Sequence, residues 1–258
     1  MIDARPGTTP LVISLPHVGR EIPAEIAAGM TPAARGVPDT DWNVDRLYSF
    51  AQSAGAAWLQ PSLSRYVVDL NRPPDDAALY PGQVSTGLCP AQSFDGVDLY
   101  VDRGPGPDDV LRRRVRYWQP YHDALRGLLD AAILRHGHAV LLDAHSIRSA
   151  VPRLFPGRLP DNNVGTTGGA SCAAPLSAAV MGAVAAQPRF SSVLDGRFKG
   201  GHITRHYGMP TGRVHALQIE LAQSTYMDEA GRDYDPDRAA PLVAVLERVV
   251  AVLIAFRP

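Results

Sequence analysis

Lysine is nearly absent from this chain. Lys199 is the one lysine among 258 residues, so arginine supplies almost all of the positive charge. Lys and Arg together number 25 against 26 Asp and Glu, a formal net charge of −1. Neither sign dominates, so global charge steers the chain to neither nucleic acid nor an anionic membrane. Cysteine is scarce too: Cys89 and Cys172 stand alone. Two such residues make neither a disulfide framework nor a Cys-rich zinc site, and both read as reduced thiols of a cytoplasmic protein. Long apolar runs are missing. Leu11–Leu15 is too short to span a bilayer, and the run from Leu242 to Phe256 is broken by Glu247 and Arg248. The latter reads as an amphipathic helix packed on the domain. No basic start followed by an apolar stretch suggests a signal peptide.

What is present is ordinary globular material, 45% hydrophobic and 20% charged, which suits one α/β domain over residues 1–258. Leu11–Leu15, Ala57–Gln60, Tyr66–Leu70, His138–Leu142 and Val214–Leu221 read as strands. Asp39 or Asp41 would cap a helix through Val44, Leu47, Tyr48 and Phe50. The spacing predicts helices over 108–134, with Pro120 as a kink or break, and over 173–186; Asp235-Pro236 opens the last one. Residues 73–107, 149–170 and 200–208 read as loops. No GxGxxG opening a helix, Walker pattern, Gly-x-Ser-x-Gly elbow or basic-aromatic stripe is found.

The polar residues gather after strands, where α/β sheets bind ligands. His17 and His145 each follow an apolar run. Two imidazoles with one carboxylate suit zinc, leaving a fourth position for water, although iron, cobalt or manganese also accept such ligands. Asp41 could complete the set, with Asp39 and Glu21 as competitors, and Asp143 could orient His145 from behind. Glu220 lies between Ile219 and Leu221 on an apolar strand, where a carboxylate needs either a partner or a task; proton transfer beside a metal is one. Asn71-Arg72 closes another strand and offers a guanidinium to a substrate carboxylate. Arg148, His202, Arg205 and His206 add polar groups that suit a small anionic substrate.

Several phrases together carry a family likeness: Leu15-Pro16-His17-Val18-Gly19, Asp39-Thr40-Asp41-Trp42, the stretch from Ser64 to Pro73, Asp143-Ala144-His145-Ser146-Ile147-Arg148, the stretch from Gly200 to Gly208, and Gln218-Ile219-Glu220-Leu221. In order and spacing the chain resembles the N-formylglutamate amidohydrolases. The resemblance implies a phosphorylase/hydrolase-like layered α/β fold with a central mixed sheet, related to zinc carboxypeptidases. It implies His17 and His145 as metal histidines, Asp41 as the acid, Glu220 as acid–base, and Asn71-Arg72 as carboxylate clamp. Carboxypeptidases carry a glutamate three residues after the first histidine; here that position is Arg20. The expected reaction is hydrolysis of N-formyl-L-glutamate to formate and glutamate, closing a route of histidine degradation. Arg148 would stabilise the oxyanion, while Arg205 and His202 would help bind substrate. The rival readings are hydrolysis of an N-carbamoyl or N-succinyl amino acid on the same scaffold, and a non-catalytic protein that binds an acidic metabolite.

Overall fold

The computed structural model describes residues 2–78 and 86–258. Seven strands form one mixed sheet: β1 Ile2–Arg5, β2 Leu11–Ser14, β3 Ala57–Pro61, β4 Ala139–Ile147, β5 Asn162–Gly165, β6 Ser192–Leu194 and β7 Val214–Ala222. Their spatial order is β1-β3-β2-β4-β7-β5-β6. The four central strands, β3, β2, β4 and β7, run parallel. The neighbouring strands β1 and β5 run antiparallel to them. The helices are α1 Ala24–Ala27, α2 Pro32–Arg35, α3 Val44–Leu47, α4 Phe50–Ser53, α5 Pro107–Arg113, α6 Gln119–His136, α7 Ala174–Ala185, α8 His202–Tyr207 and α9 Pro236–Ala255. Among the described residues, no helix is long and apolar enough to cross a membrane.

Alternation along the central strands sends side chains into two apolar layers. Val140, Leu142 and Ala144 of β4 join Leu217, Ile219 and Leu221 of β7 in one core, with Leu176 and Val180 of α7 and Leu242, Val245, Leu246 and Val249 of α9. Ala139 and Leu141 face the other way, with Val214 and Ala216, onto Tyr121, Leu125 and Leu129 of α6. The 3–4 spacing of the α9 residues buries one stripe of that helix. Its start is fixed by Asp235, whose carboxylate accepts from Asp237 N at 3.0 Å and Arg238 N at 3.1 Å, with Pro236 as the first helical residue.

The structure departs from the sequence reading in several places. Tyr66–Leu70 is no strand, although Tyr66, Val67, Val68 and Leu70 are buried as an apolar run should be. The edge of β3 that it would need is taken by β1, which pairs Ile2 with Pro61 through Arg5 with Trp58. The helix expected after Asp41 is two short ones, α3 and α4, and the residue before α3 is Asn43, in the left-handed region at φ 62°. Within the expected loop 149–170, β5 pairs antiparallel with β7 despite its polar Asn162-Asn163 start. Part of the loop expected at 73–107 lies outside the described residues. The helical stretch near Pro120 is divided by a π-helical turn, Arg114–Trp118, which separates α5 from α6.

The segment 200–208 is also helical over α8. The segment is short, and its first turn is capped from outside: Ile203 N donates to Asn71 Oδ1 at 2.7 Å. Gly201, just before it, sits where any Cβ would collide with the Asn71 side chain. Local pattern could not reveal a cap supplied from 132 residues away.

Candidate active site

The face of the sheet that meets α6 changes character toward the carboxyl ends of its strands. On β4 it reads Ala139, Leu141, Asp143, His145; on β7 it reads Val214, Ala216, Gln218, Glu220. The parallel register sets Asp143 beside Gln218 and His145 beside Glu220. The polar pairs are held rigidly, because the backbones that carry them are central strands. The neighbouring β2 contributes His17, three residues beyond its end. Asp41 arrives from the segment before α3, and its N–H donates to His17 O at 3.1 Å.

His17, Asp41 and His145 converge, each buried, with one ligand atom apiece within 4.8 Å of the others. Asp41 Oδ2 lies 2.9 Å from His145 Nδ1 and 3.7 Å from His17 Nδ1. Ser146 N also donates to Asp41 Oδ2 at 3.2 Å. His17 Nε2 lies 2.7 Å from Asp69 Oδ1. A carboxylate only accepts, so this nitrogen carries a hydrogen and Nδ1 is the ring nitrogen turned toward Asp41. His17 Nδ1 is buried without a hydrogen-bond partner. His145 Nε2 lies 3.0 Å from Asp143 Oδ1 and 2.9 Å from Asn71 Nδ2. Two Nδ1 atoms with a carboxylate between them, one ring held by Asp69 and the other flanked by Asn71 and Asp143, are a fitting donor set for a divalent metal.

The electrostatics follow from burial. Burial works against the anionic form of Asp41, but the two imidazoles outweigh it and hold its pKa below the usual range. Burial likewise disfavours a charged His145, and the carboxylates of Asp143 and Asp41 raise its pKa well above the ordinary value. Asp69, fully buried, is kept low mainly by Arg65, whose Nη2 donates to Asp69 Oδ2 at 2.7 Å. Glu220 moves the other way: burial is the largest influence and raises its pKa, with Asp41 adding to the rise. Gln218 Oε1 accepts from Gly201 N at 2.8 Å, which turns its amide nitrogen toward Glu220 Oε2 at 3.2 Å.

His17, His145, Gln218 and Glu220 line a hollow that opens to solvent. Its wall includes His17, Asn71, Arg72, His145 and Glu220 among the residues expected from sequence. Asn71 spends its side chain inward, with Nδ2 2.9 Å from both Asp143 Oδ2 and His145 Nε2. Arg72 donates to Thr86 O at 2.8 Å and Thr86 Oγ1 at 3.1 Å. Four expected residues do not line the hollow: Asp41, which lies between the two imidazoles, and Arg148, Arg205 and His202. Arg148 reaches Asp95 at 2.8 Å, Arg205 Nε donates to Gly200 O at 2.9 Å, and His202 stacks on His206 with ring centroids 5.0 Å apart. Of the competitors for the third ligand, Asp39 is occupied by Tyr66 Oη at 2.6 Å and Phe94 N at 2.7 Å, and Glu21 accepts from Ser62 Oγ on the surface. Sequence reasoning gave no role to Arg65, Arg197 or Gln218, all of which line the hollow. Gln218 was within reach, being two residues before Glu220 on one face of a strand. Arg197 lies in an irregular stretch with no periodic signal.

A parallel α/β core with a buried His/Asp/His cluster and a carboxylate near the carboxyl ends of its strands defines an α/β protein with an enzyme-type site. The chain belongs to the N-formylglutamate amidohydrolase family, whose model matches residues 9–227. It is 47% identical to an N-formylglutamate deformylase of Pseudomonas putida over 253 residues, covering 97% of this chain and 94% of that protein. An N-formylglutamate deformylase of Pseudomonas aeruginosa is 48% identical over 252 residues, with the same coverage. The crystal structure of N-formylglutamate amidohydrolase from Ralstonia eutropha JMP134 superposes with a TM-score of 0.81 at 26% identity, covering 98% of this chain and 95% of that one. A gene product of Agrobacterium tumefaciens, 17% identical with a TM-score of 0.71, shares the fold over 97% of this chain and 94% of its own.

Proposed function

We propose that this protein is a metal-dependent amidohydrolase that cleaves N-formyl-L-glutamate to formate and L-glutamate. The observation that carries this reading is the His17/Asp41/His145 cluster with Glu220 beside it, at the base of a hollow whose wall bears Arg65, Arg72 and Arg197. The names of the Pseudomonas relatives support the substrate. His17 and His145 through Nδ1, with the Asp41 carboxylate, would hold one divalent ion, and zinc suits two nitrogens and an oxygen. Such an ion supplies a Lewis acid for the formyl oxygen and lowers the pKa of water.

The chain's own groups do the rest. Asp69 holds the His17 imidazole in the required orientation, and Asn71, bonded to Asp143, abuts that of His145. Glu220, its basicity raised by burial, takes a proton from the attacking water as the new C–O bond forms at the formyl carbon. It then delivers that proton to the amide nitrogen as the C–N bond breaks. Arg72 receives a substrate carboxylate. Arg148, paired with Asp95, has no part in these steps.

The reading extends to a single unit over residues 1–258, supported by one sheet that takes strands from residue 2 to residue 222 and packs α9 beneath it. It extends also to a layered architecture like that of zinc carboxypeptidases, supported by the mixed sheet with its ligands at strand ends. A cytoplasmic protein closing a histidine degradation route is the corresponding setting, supported by the unpaired Cys89 and Cys172 and by the family resemblance. The decisive experiment measures metal content together with formate release from N-formyl-L-glutamate, before and after chelation. About one ion per chain, with activity lost on chelation and restored by zinc, is expected. Turnover of N-carbamoyl- or N-succinyl-glutamate in place of the formyl compound would reassign the substrate. Full activity without metal would remove the metal from the reading.

A further inference from the structure

The proton transfer described above depends on where the Glu220 carboxylate points, and one side chain governs that. Gln218 and Glu220 lie two residues apart on β7, so both project from the same face of the sheet. Both are buried, and both line the hollow. Gln218 Nε2 donates to Glu220 Oε2 at 3.2 Å, the one hydrogen bond made to that carboxylate among the described residues. The amide of Gln218 has no choice of end. Its Oε1 accepts from Gly201 N at 2.8 Å, and a backbone N–H can only donate, so the NH2 end faces Glu220. Gly201 is fixed in its turn by Asn71, whose side chain leaves no room for a Cβ there. His202 N donates to Asn71 O at 3.3 Å and Ile203 N to Asn71 Oδ1 at 2.7 Å.

A continuous set of contacts therefore runs from the segment Asn71-Arg72, through the start of α8 and Gly201 N, to Gln218 and Glu220. Glutamine suits the middle of it because its side chain accepts at one end and donates at the other. A glutamate there would accept from Gly201 N but set a second negative charge against Glu220. A leucine or methionine would fill the space and make neither bond. We propose that Gln218 is the positioning residue of Glu220: it ties the base to the segment that carries the clamp, and by occupying Oε2 it reserves Oε1 for the attacking water. The proposal rests on the hydrolase reading above, in which Glu220 moves the proton. Gln218 touches no reacting atom, so its whole effect passes through Glu220.

The test is a double-mutant cycle on metal-loaded protein: Gln218→Met, Glu220→Gln and the two combined, read as kcat and KM for formate release from N-formyl-L-glutamate. Gln218→Met keeps the length of the side chain and removes both bonds. Its kcat should fall about 10-fold with KM little changed, because alignment is lost in the reacting step. In the Glu220→Gln background the same substitution should change kcat by less than about twofold, since the group it positions is gone. Gln218→Asn keeps an amide but draws it back by one methylene. If the methionine variant melts below the assay temperature, the asparagine variant carries the same reading: a fall in kcat alone that vanishes in the Glu220→Gln background. Falls of equal size in both backgrounds would overturn the proposal and make Gln218 a structural anchor for α8. A normal kcat in Gln218→Met, or a loss confined to KM, would overturn it too. Each of those results leaves the hydrolase reading standing. Normal turnover by Glu220→Gln, or a wild-type protein that releases no formate, would remove that reading and the proposal with it.

Discussion

His145 and Glu220 are register partners on the adjacent parallel strands β4 and β7, and both point to the face that meets α6. The pairing joins a group that can hold a metal to a group that can move a proton, on two adjacent, fully buried strands of the sheet. Their environments push them apart chemically. His145 is drawn toward its charged form by Asp143 and Asp41, while burial draws Glu220 toward its neutral form. A carboxylate made more basic in this way is suited to taking a proton from water.

Glu220→Gln keeps the size of the side chain and removes the base. Metal content should stay at the wild-type level, because Glu220 is not one of the three converging ligands. The value of kcat for formate release should fall at least ~100-fold, with KM little changed. Steady-state kinetics on metal-loaded protein provides the check. Near-normal turnover would take Glu220 out of the mechanism.

Asp69 accepts three hydrogen bonds while fully buried: from His17 Nε2 at 2.7 Å, Arg65 Nη2 at 2.7 Å and Asn71 N at 2.9 Å. Asp69→Asn would loosen the orientation of His17 and leave Arg65 short of a counter-charge. Metal affinity should weaken by roughly 10–100-fold. Unfolding should become easier by about 3–5 kcal/mol, the usual result of removing one member of a buried ion pair. Competition with a chromophoric chelator reads the first effect and thermal or urea unfolding the second. An unaltered metal affinity would show that His17 needs no support from Asp69.

The loop carrying Asn71 and Arg72 is held by side chains of the α5–α6 region. Arg113 Nη1 donates to Val67 O at 3.2 Å, His122 Nε2 lies 2.9 Å from Leu70 O, and Trp118 Nε1 donates to Arg72 O at 3.0 Å. The π-helical turn ends at Trp118, so its extra residue sets the position of that indole. Trp118→Phe keeps a ring on His122, which it stacks against at 3.7 Å between centroids, and deletes only the donor. KM for N-formyl-L-glutamate should rise several-fold with kcat nearly constant, at a stability cost of about 1 kcal/mol. A fall in kcat at constant KM would mean that the indole supports the reacting groups instead of the clamp.

The outcomes along the chain show what sequence can carry. The central strands were legible because apolar runs buried on both faces mark β2, β3 and the start of β4, and a loose apolar alternation marks β7. His17, His145 and Glu220 were legible because they interrupt or close those runs. β1 and β5 were not, since an edge strand and an Asn-rich strand draw their stability from pairing with partners distant in sequence. Tyr66–Leu70 misled for the converse reason, being apolar without a free strand edge to join. Arg197 could not be found from local pattern, because only the fold brings its loop against Leu154 and the hollow.

His122 supplies a pH test that does not involve the metal ligands. Its ring is buried between Trp118, Tyr207 and Leu70 O, with Nδ1 3.0 Å from Tyr207 Oη. Burial lowers its pKa to about 3 in the folded chain, against 6.5 for the free side chain. Between those values the unfolded chain binds a proton that the folded chain does not. The stability this neutral ring contributes is therefore complete above about pH 6.5 and is lost as the pH falls toward 3, at up to about 1.4 kcal/mol per pH unit. His202, lowered to about 4 by burial, acts in the same direction and steepens the loss. His122→Gln retains an amide donor for Leu70 O and removes the titration. The wild type should lose about 1.4 kcal/mol more than the variant on going from pH 7.5 to 5.5, a difference of a few degrees in melting temperature for a chain of this size. Equal slopes in the two proteins would mean that the His122 ring is protonated as readily in the folded chain as in the unfolded one, and that its contacts with Leu70 and Tyr207 do not depend on the neutral form.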